Sequence, residues 1–151
     1  RSLWNVGSFF RTADAFGVTH IHLTGYTPSP PRKEITKTAI GADEWIPWSK
    51  DEDALAVITK RKAEGYWVVA LELGEASIPI AGSKPEKPVC IVVGHEILGV
   101  PEDVQKACDE TVHIPMLGQK HSLNVSVAAG IALFHFRHAA RMAALNDFKT
   151  I

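Results

Sequence analysis

Near the start of the chain, Val6, Phe9, Phe10, Ala13 and Phe16 fall at i, i+3, i+4, i+7 and i+10, and Gly17 follows where a left-handed C-terminal residue belongs. This pattern predicts a helix over residues 5–16. Residues 18–23 then alternate Ile21 and Leu23 with polar neighbours, as a half-buried strand does. The run Pro28-Ser29-Pro30-Pro31 removes backbone donors and fixes φ, so it predicts a loop, which carries Arg32, Lys33 and Lys37 onward. A second helix is expected over 53–64, stopped by Gly65. Residues 66–73 are almost continuously apolar, the mark of a strand covered on both faces. After a turn at 82–88, residues 89–93 form a further short buried strand. Pro101 with Glu102 and Asp103 opens a helix, since proline suits the first helical position and carboxylates favour its positive end. A strand at 111–114 follows, and Ser122 is placed to cap a long helix reaching about Ala144. Strands alternating with helices at this spacing predict an α/β fold, a parallel sheet flanked by helices.

Composition narrows the classes. The 151 residues make one ordinary domain, residues 1–151, and 46% hydrophobic with 22% charged residues is the balance of a globular protein. No apolar run approaches the ~20 residues of a membrane span. Sixteen Lys+Arg against 17 Asp+Glu leave a net charge of −1, which excludes a polycationic wrapper of nucleic acid but allows a local basic patch. Cys90 and Cys108 make no disulfide framework, so a reducing cytoplasm is expected. The chain opens at Arg1 without methionine or a signal-like stretch, and is expected to begin inside a longer one.

Three segments depart from scaffolding. In the first, Asn5 and Arg11 stand on an otherwise apolar helix, and Gly7 lets something approach its first turn closely. An N-cap asparagine and a solvated arginine explain them equally well. In the second, a buried strand ends in Gly94-His95-Glu96, with Gly99 beyond. Ligand loops of α/β sheets occupy such strand ends, although a turn glycine beside an exposed glutamate also accounts for it. Neither a P-loop nor a G-x-G-x-x-G motif occurs. The third runs from Ile114-Pro115-Met116 through Gln119-Lys120-His121 to Ser122-Leu123-Asn124-Val125-Ser126. Capping by Ser122 explains Ser122 and leaves Asn124 unaccounted for.

In order and spacing, these segments resemble the three motifs of the SpoU/TrmH-type RNA 2′-O-ribose methyltransferases of the SPOUT superfamily. Asn5-x-Gly7-x-x-x-Arg11-Thr12-Ala13 is similar to the first, Gly94-His95-Glu96-x-x-Gly99 to the second, and 114–128 to the third. His95 departs from the asparagine or small polar residue frequent there and is expected to alter a loop contact, not the reaction. The start at Arg1 is expected to leave out the family's first strand. The resemblance implies that the C-terminal part of the sheet is threaded into a deep trefoil knot, a topology that general connection rules would not propose. It implies that S-adenosylmethionine binds at Leu71, Glu72, Gly94, Ile114, Met116 and Leu123. It also implies a reaction centre of Arg11, Asn5, Glu96, Ser122 and Asn124, and a homodimer with RNA lying across both subunits. Arg1, Arg11, Arg32, Lys33, Lys37, Lys120 and His121 flank these loops as a basic RNA surface.

Other constellations weigh less. The pairs His20/His22 and His135/His138 lack the converging Cys, Asp or Glu partners of a zinc site, so no metal is expected. Cys90 lies in an expected buried strand and reads as packing. The four tryptophans are too scattered for a stacking platform, with Trp67 placed in the core. The leading reading is S-adenosylmethionine-dependent methyl transfer to a ribose 2′-hydroxyl of tRNA or rRNA. A catalytically idle RNA-binding member of the same fold and a flavodoxin-like nucleotide-binding domain remain as alternatives.

Overall fold

The computed structural model describes residues 2–146. Helix α1, Leu3–Phe16, starts two residues before the predicted helix over 5–16, because the Ser2 hydroxyl caps it by accepting the Asn5 N–H at 3.4 Å. Gly17, at φ 63°, ends it. The close approach expected at Gly7 is made by a neighbouring helix, α2, Lys33–Ala39, where the sequence pattern predicts only loop. A Cβ on Gly7 would overlap Thr38 and the Ile35 carbonyl. With Ile35 and Ala39 as its only buried residues, α2 is too short to show a helical period in sequence.

Strand β1, Ile21–Thr24, pairs in parallel with β2, Trp48–Asp51, which follows the single-turn helix α3, Ala42–Trp45. The polar Ser49-Lys50-Asp51 of β2 hides it from an apolar search. After helix α4, Ala54–Ala63, come β3 (Trp67–Leu71), the two-residue β4 (Ile78–Pro79) and β5 (Val89–Val93). Helix α5, Glu102–Ala107, strand β6, Glu110–His113, and helix α6, Val125–Asn146, complete the described residues. These strands form a second parallel sheet in the order β4-β6-β3-β5. The α/β class with helices on parallel sheets is therefore observed, in two sheets instead of one.

Val68 and Ala70 of β3 pack with Ile58 of α4 and Val104 of α5, while Val69 packs on the opposite face with Val112, Ala132 and Phe136. Both faces of β3 are thus covered, as its continuous apolar run requires. β5 ends the sheet and is only half-buried, so the expectation of a buried strand fails there. A separate core holds Phe10 of α1 against Ile35, Ala39 and Leu23. Because β3, β5 and β6 are parallel, their carboxyl ends share one edge, where segments 72–77, 94–100 and 114–124 gather. No described helix is long and apolar enough to cross a membrane.

Candidate functional site

The expectation that Ser122 caps α6 is overturned. Asn124 is the cap: its Oδ1 accepts the Ser126 N–H at 2.9 Å and the Val127 N–H at 3.4 Å, and its carbonyl accepts the first helical bond from Ala128. Ser122 lies two residues before that cap. Likewise, Ser2 caps α1, which leaves the Asn5 side chain free for a long-range contact.

That contact joins all three motif segments. Asn124 Nδ2 donates to Asn5 Oδ1 at 3.1 Å and to Glu96 Oε1 at 3.3 Å, and Asn5 Nδ2 donates to Glu96 Oε2 at 3.3 Å. The two amides thus present donors to one carboxylate, each oxygen taking one. Ser126 completes the group, its hydroxyl 2.6 Å from Asn124 Oδ1 and 3.5 Å from Asn5 Oδ1. Sequence reasoning passed over Ser126 as a site residue; a small hydroxyl two positions after a capping asparagine was the available signal.

Beside this network lies a pocket of ≈ 140 Å³ lined by Leu71, Glu72, Gly94, Ile114, Met116 and Leu123, the six positions expected to hold a cofactor. Glu96 and Ser122 also reach it, as does His121. Within it, the Glu72 carboxylate is already engaged. Oε1 accepts the Leu73 N–H at 2.9 Å and Oε2 the Val100 N–H at 2.8 Å, so Glu72 braces the 94–100 loop. That loop closes on itself through the His95 N–H to Gly99 carbonyl bond at 3.0 Å and its reciprocal at 2.8 Å, with Gly99 at φ 69°. His95 Nδ1 accepts the Ile97 and Leu98 N–H groups at 3.1 and 3.3 Å. An asparagine oxygen makes the same kind of short-range turn, which explains why histidine is acceptable here. Gly94 has no left-handed backbone. A Cβ there would overlap the main chain of Gly99 and Val100, so a side chain at this position collides with the loop before it meets any ligand.

The other expected residues lie outside this cluster. Arg11 is exposed on α1, about 9 Å along the helix axis from Asn5. Arg32 and Lys33, at the start of α2, and Lys120, in the loop before α6, are exposed. Lys37 stands over the Trp4 ring at 5.8 Å. Arg1 lies outside the described residues. The His20 and His22 rings lie with centroids 4.4 Å apart and planes tilted by 38°, and His22 Nδ1 lies 3.0 Å from Asp51. Among the described residues no three His, Cys, Asp or Glu side chains converge as a metal site would need. Burial raises the Cys90 thiol, and pushes that of Cys108 up to about 11, helped by Cys90, which keeps both protonated and unreactive near neutral pH. Trp67 is half-buried, not fully in the core.

A model of the SpoU rRNA Methylase family matches residues 1–134. The chain belongs to that family. Over 130 residues it is 36% identical to the 23S rRNA (guanosine-2′-O-)-methyltransferase RlmB of Vibrio parahaemolyticus, covering 86% of this chain and 52% of the relative. It is 28% identical to the tRNA (guanosine(18)-2′-O)-methyltransferase of Escherichia coli, with 86% and 56% covered. Among solved structures, the AdoMet-bound rRNA methyltransferase from Sinorhizobium meliloti superposes with a TM-score of 0.85 at 32% identity, covering 91% of this chain and 52% of that one. The chain thus spans about half the length of the curated relatives it matches.

Proposed function

We propose that the protein transfers a methyl group from S-adenosylmethionine to a ribose 2′-hydroxyl of tRNA or rRNA. The observation that carries this reading is the junction of Asn5, Glu96 and Asn124, from three distant segments, at the mouth of the pocket where β3, β5 and β6 end. Apolar Leu71, Ile114 and Leu123 suit an adenine face, strand-end main chain suits its polar edge, and the Glu96 carboxylate suits a cationic sulfonium. S-Adenosylmethionine supplies an activated methyl group. The protein's residues supply position and proton handling: the ribose hydroxyl must lose its proton as its oxygen takes the methyl. A guanidinium carries no acceptor, so Arg11 serves either by clamping an RNA phosphate or by first passing a proton to that phosphate and then taking the one the hydroxyl loses. Asn5 and Asn124 hold Glu96, and Ser122 closes the pocket edge.

The same reading includes the trefoil knot and the homodimer. β6 runs up between β3 and β4, with Leu71 and Ile78 both opposite Val112, so the chain leaving β6 must pass the 72–77 link. That supports threading of 114–124. On α6, Val127, Ile131 and Phe134 are 51%, 39% and 58% exposed at i, i+4 and i+7, an apolar stripe that a second copy would cover. Sedimentation of the full chain at micromolar concentration should show a dimer; a fully active monomer would refute that part. The cytoplasm, where tRNA and rRNA are available, is the proposed site of action.

Calorimetric titration with S-adenosylmethionine, paired with transfer of labelled methyl groups to total tRNA and rRNA and nucleoside analysis, tests the function. Binding and 2′-O-methyl nucleosides are expected. RNA binding without cofactor binding would mark an idle member of the fold, and methyl groups found only on bases would overturn the reaction.

A further inference from the structure

A second cleft, open and about three times larger at ≈ 480 Å³ (against ≈ 140 Å³), lies at the carboxyl end of the β1–β2 sheet, apart from the pocket described above. Tyr26, Arg32, Lys50 and Leu3 line it. Tyr26 sits on the turn that follows β1 and exposes its whole side chain, 101% of the reference area. That turn is braced. Gly25 adopts φ 54°, the Thr27 N–H reaches the Thr24 carbonyl at 3.1 Å, and the Lys50 ammonium of β2 donates to the Thr27 carbonyl at 2.6 Å and to the Gly25 carbonyl. Lys50 therefore gives two of its three donors to holding the turn, and Arg32, exposed at the start of α2, offers its guanidinium to solvent. Leu3 forms one wall, while Asn5 of the Glu96 network lies two residues on, about 200° around the same helical turn. The cleft and the candidate reaction centre thus flank opposite sides of the first turn of α1.

We propose that this cleft is a nucleotide subsite for the RNA strand carrying the target ribose, in which a base stacks on Tyr26 while Arg32 holds an adjoining phosphate. The proposal rests on the reading of the protein as an RNA-modifying enzyme. A wholly exposed aromatic on a turn whose backbone is braced offers a base a flat face from a fixed anchor, and an exposed guanidinium matches a phosphate in two places. Stacking tolerates any base, so the subsite contributes affinity and register without fixing sequence.

The test uses the full chain with two fluorescently labelled probes of equal length, a short oligoadenylate and an abasic oligoribophosphate. Tyr26→Ala should weaken oligoadenylate binding about 5- to 150-fold, the equivalent of about 1–3 kcal/mol, and leave the abasic probe unchanged. Tyr26→Phe should bind both as the wild type does. Arg32→Ala should weaken both and reduce the salt slope by about 0.7. Equal binding of oligoadenylate by Tyr26→Ala and the wild type overturns the subsite, as does an equal loss on both probes. Cofactor titration and methyl transfer by the wild type judge the enzyme reading separately. A wild type that methylates RNA while Tyr26→Ala keeps its KM defeats the subsite alone, and one that binds neither probe nor S-adenosylmethionine defeats both.

Discussion

Asn124 serves two purposes through the two ends of one amide. Its oxygen caps α6, and its nitrogen reaches Asn5 and Glu96. Serine caps a helix about as well as asparagine but has no amide donors to send across the site. Asn124→Ser should therefore keep its urea midpoint near that of the wild type and still lose methyl transfer, whereas Asn124→Ala should lose about 1 kcal/mol of stability as well. If the serine variant turns over normally, the amide bridge has no part in the reaction. Arg11 stands outside that bridge, exposed on α1. Arg11→Ala should lower turnover about 100-fold or more while S-adenosylmethionine still binds, because the candidate cofactor pocket contains no Arg11 atom. Arg11→Lys distinguishes its two roles. Activity that partly returns as pH rises marks a base, and a loss as deep as alanine's at every pH marks a bidentate clamp.

At the scale of elements, the 94–100 loop is a rigid unit and not a flexible cover. Two reciprocal backbone bonds close it, His95 Nδ1 gathers two of its N–H groups, and the Glu72 carboxylate ties Val100 to the end of β3. Gly94 is the point where strand and returning loop touch main chain to main chain. Gly94→Val should force the loop off β5, abolish S-adenosylmethionine binding and cost about 1–3 kcal/mol of stability by overpacking. A folded Gly94→Val protein with normal cofactor affinity, measured calorimetrically, would place the cofactor elsewhere.

For the molecule as a whole, three titrating groups set the acid limb of stability. Burial, then His22 and Arg61, hold His20 below its usual 6.5 against the opposing pull of Asp51. The folded state binds that proton more weakly than the unfolded chain, so the stability it contributes is present above about pH 6.5 and falls away below it. The Ser49 hydroxyl and His22 hold the Asp51 carboxyl below 3.8. Partial burial raises Asp109, but the Val68 N–H at 2.8 Å and Lys62 at 2.9 Å outweigh it and leave that group lowered too. Both aspartates contribute stability above about pH 3.8 that is lost as pH falls through their lowered values. The urea midpoint should decline in two steps, one beginning below pH 6.5 and one below 3.8. A midpoint that climbs between pH 7 and 5 would contradict the His20 assignment.

The sequence by itself determined the α/β class, the long elements α1, α4, β3, β5 and α6, and the three segments that meet at the site. Each carries its signal locally, as an apolar period, a glycine stop or a motif. Tertiary structure decided the rest. α2, β2 and β4 are too short or too polar to announce themselves, and exist because a larger core receives them. Sequence pointed to Asn5 and Ser122 as helix caps, but Ser2 and Asn124 hold those places, since capping depends on where a helix starts within a turn. The close neighbours of both glycines belong to the protein itself: the Thr38 side chain and Ile35 carbonyl for Gly7, and the main chain of Gly99 and Val100 for Gly94. Most of all, Asn5 and Glu96 stand 91 positions apart with no local clue that their side chains meet at 3.3 Å, because the parallel stacking of β3, β5 and β6 brings the Glu96 and Asn124 segments to one edge while the packing of α1 against α6 brings Asn5 there.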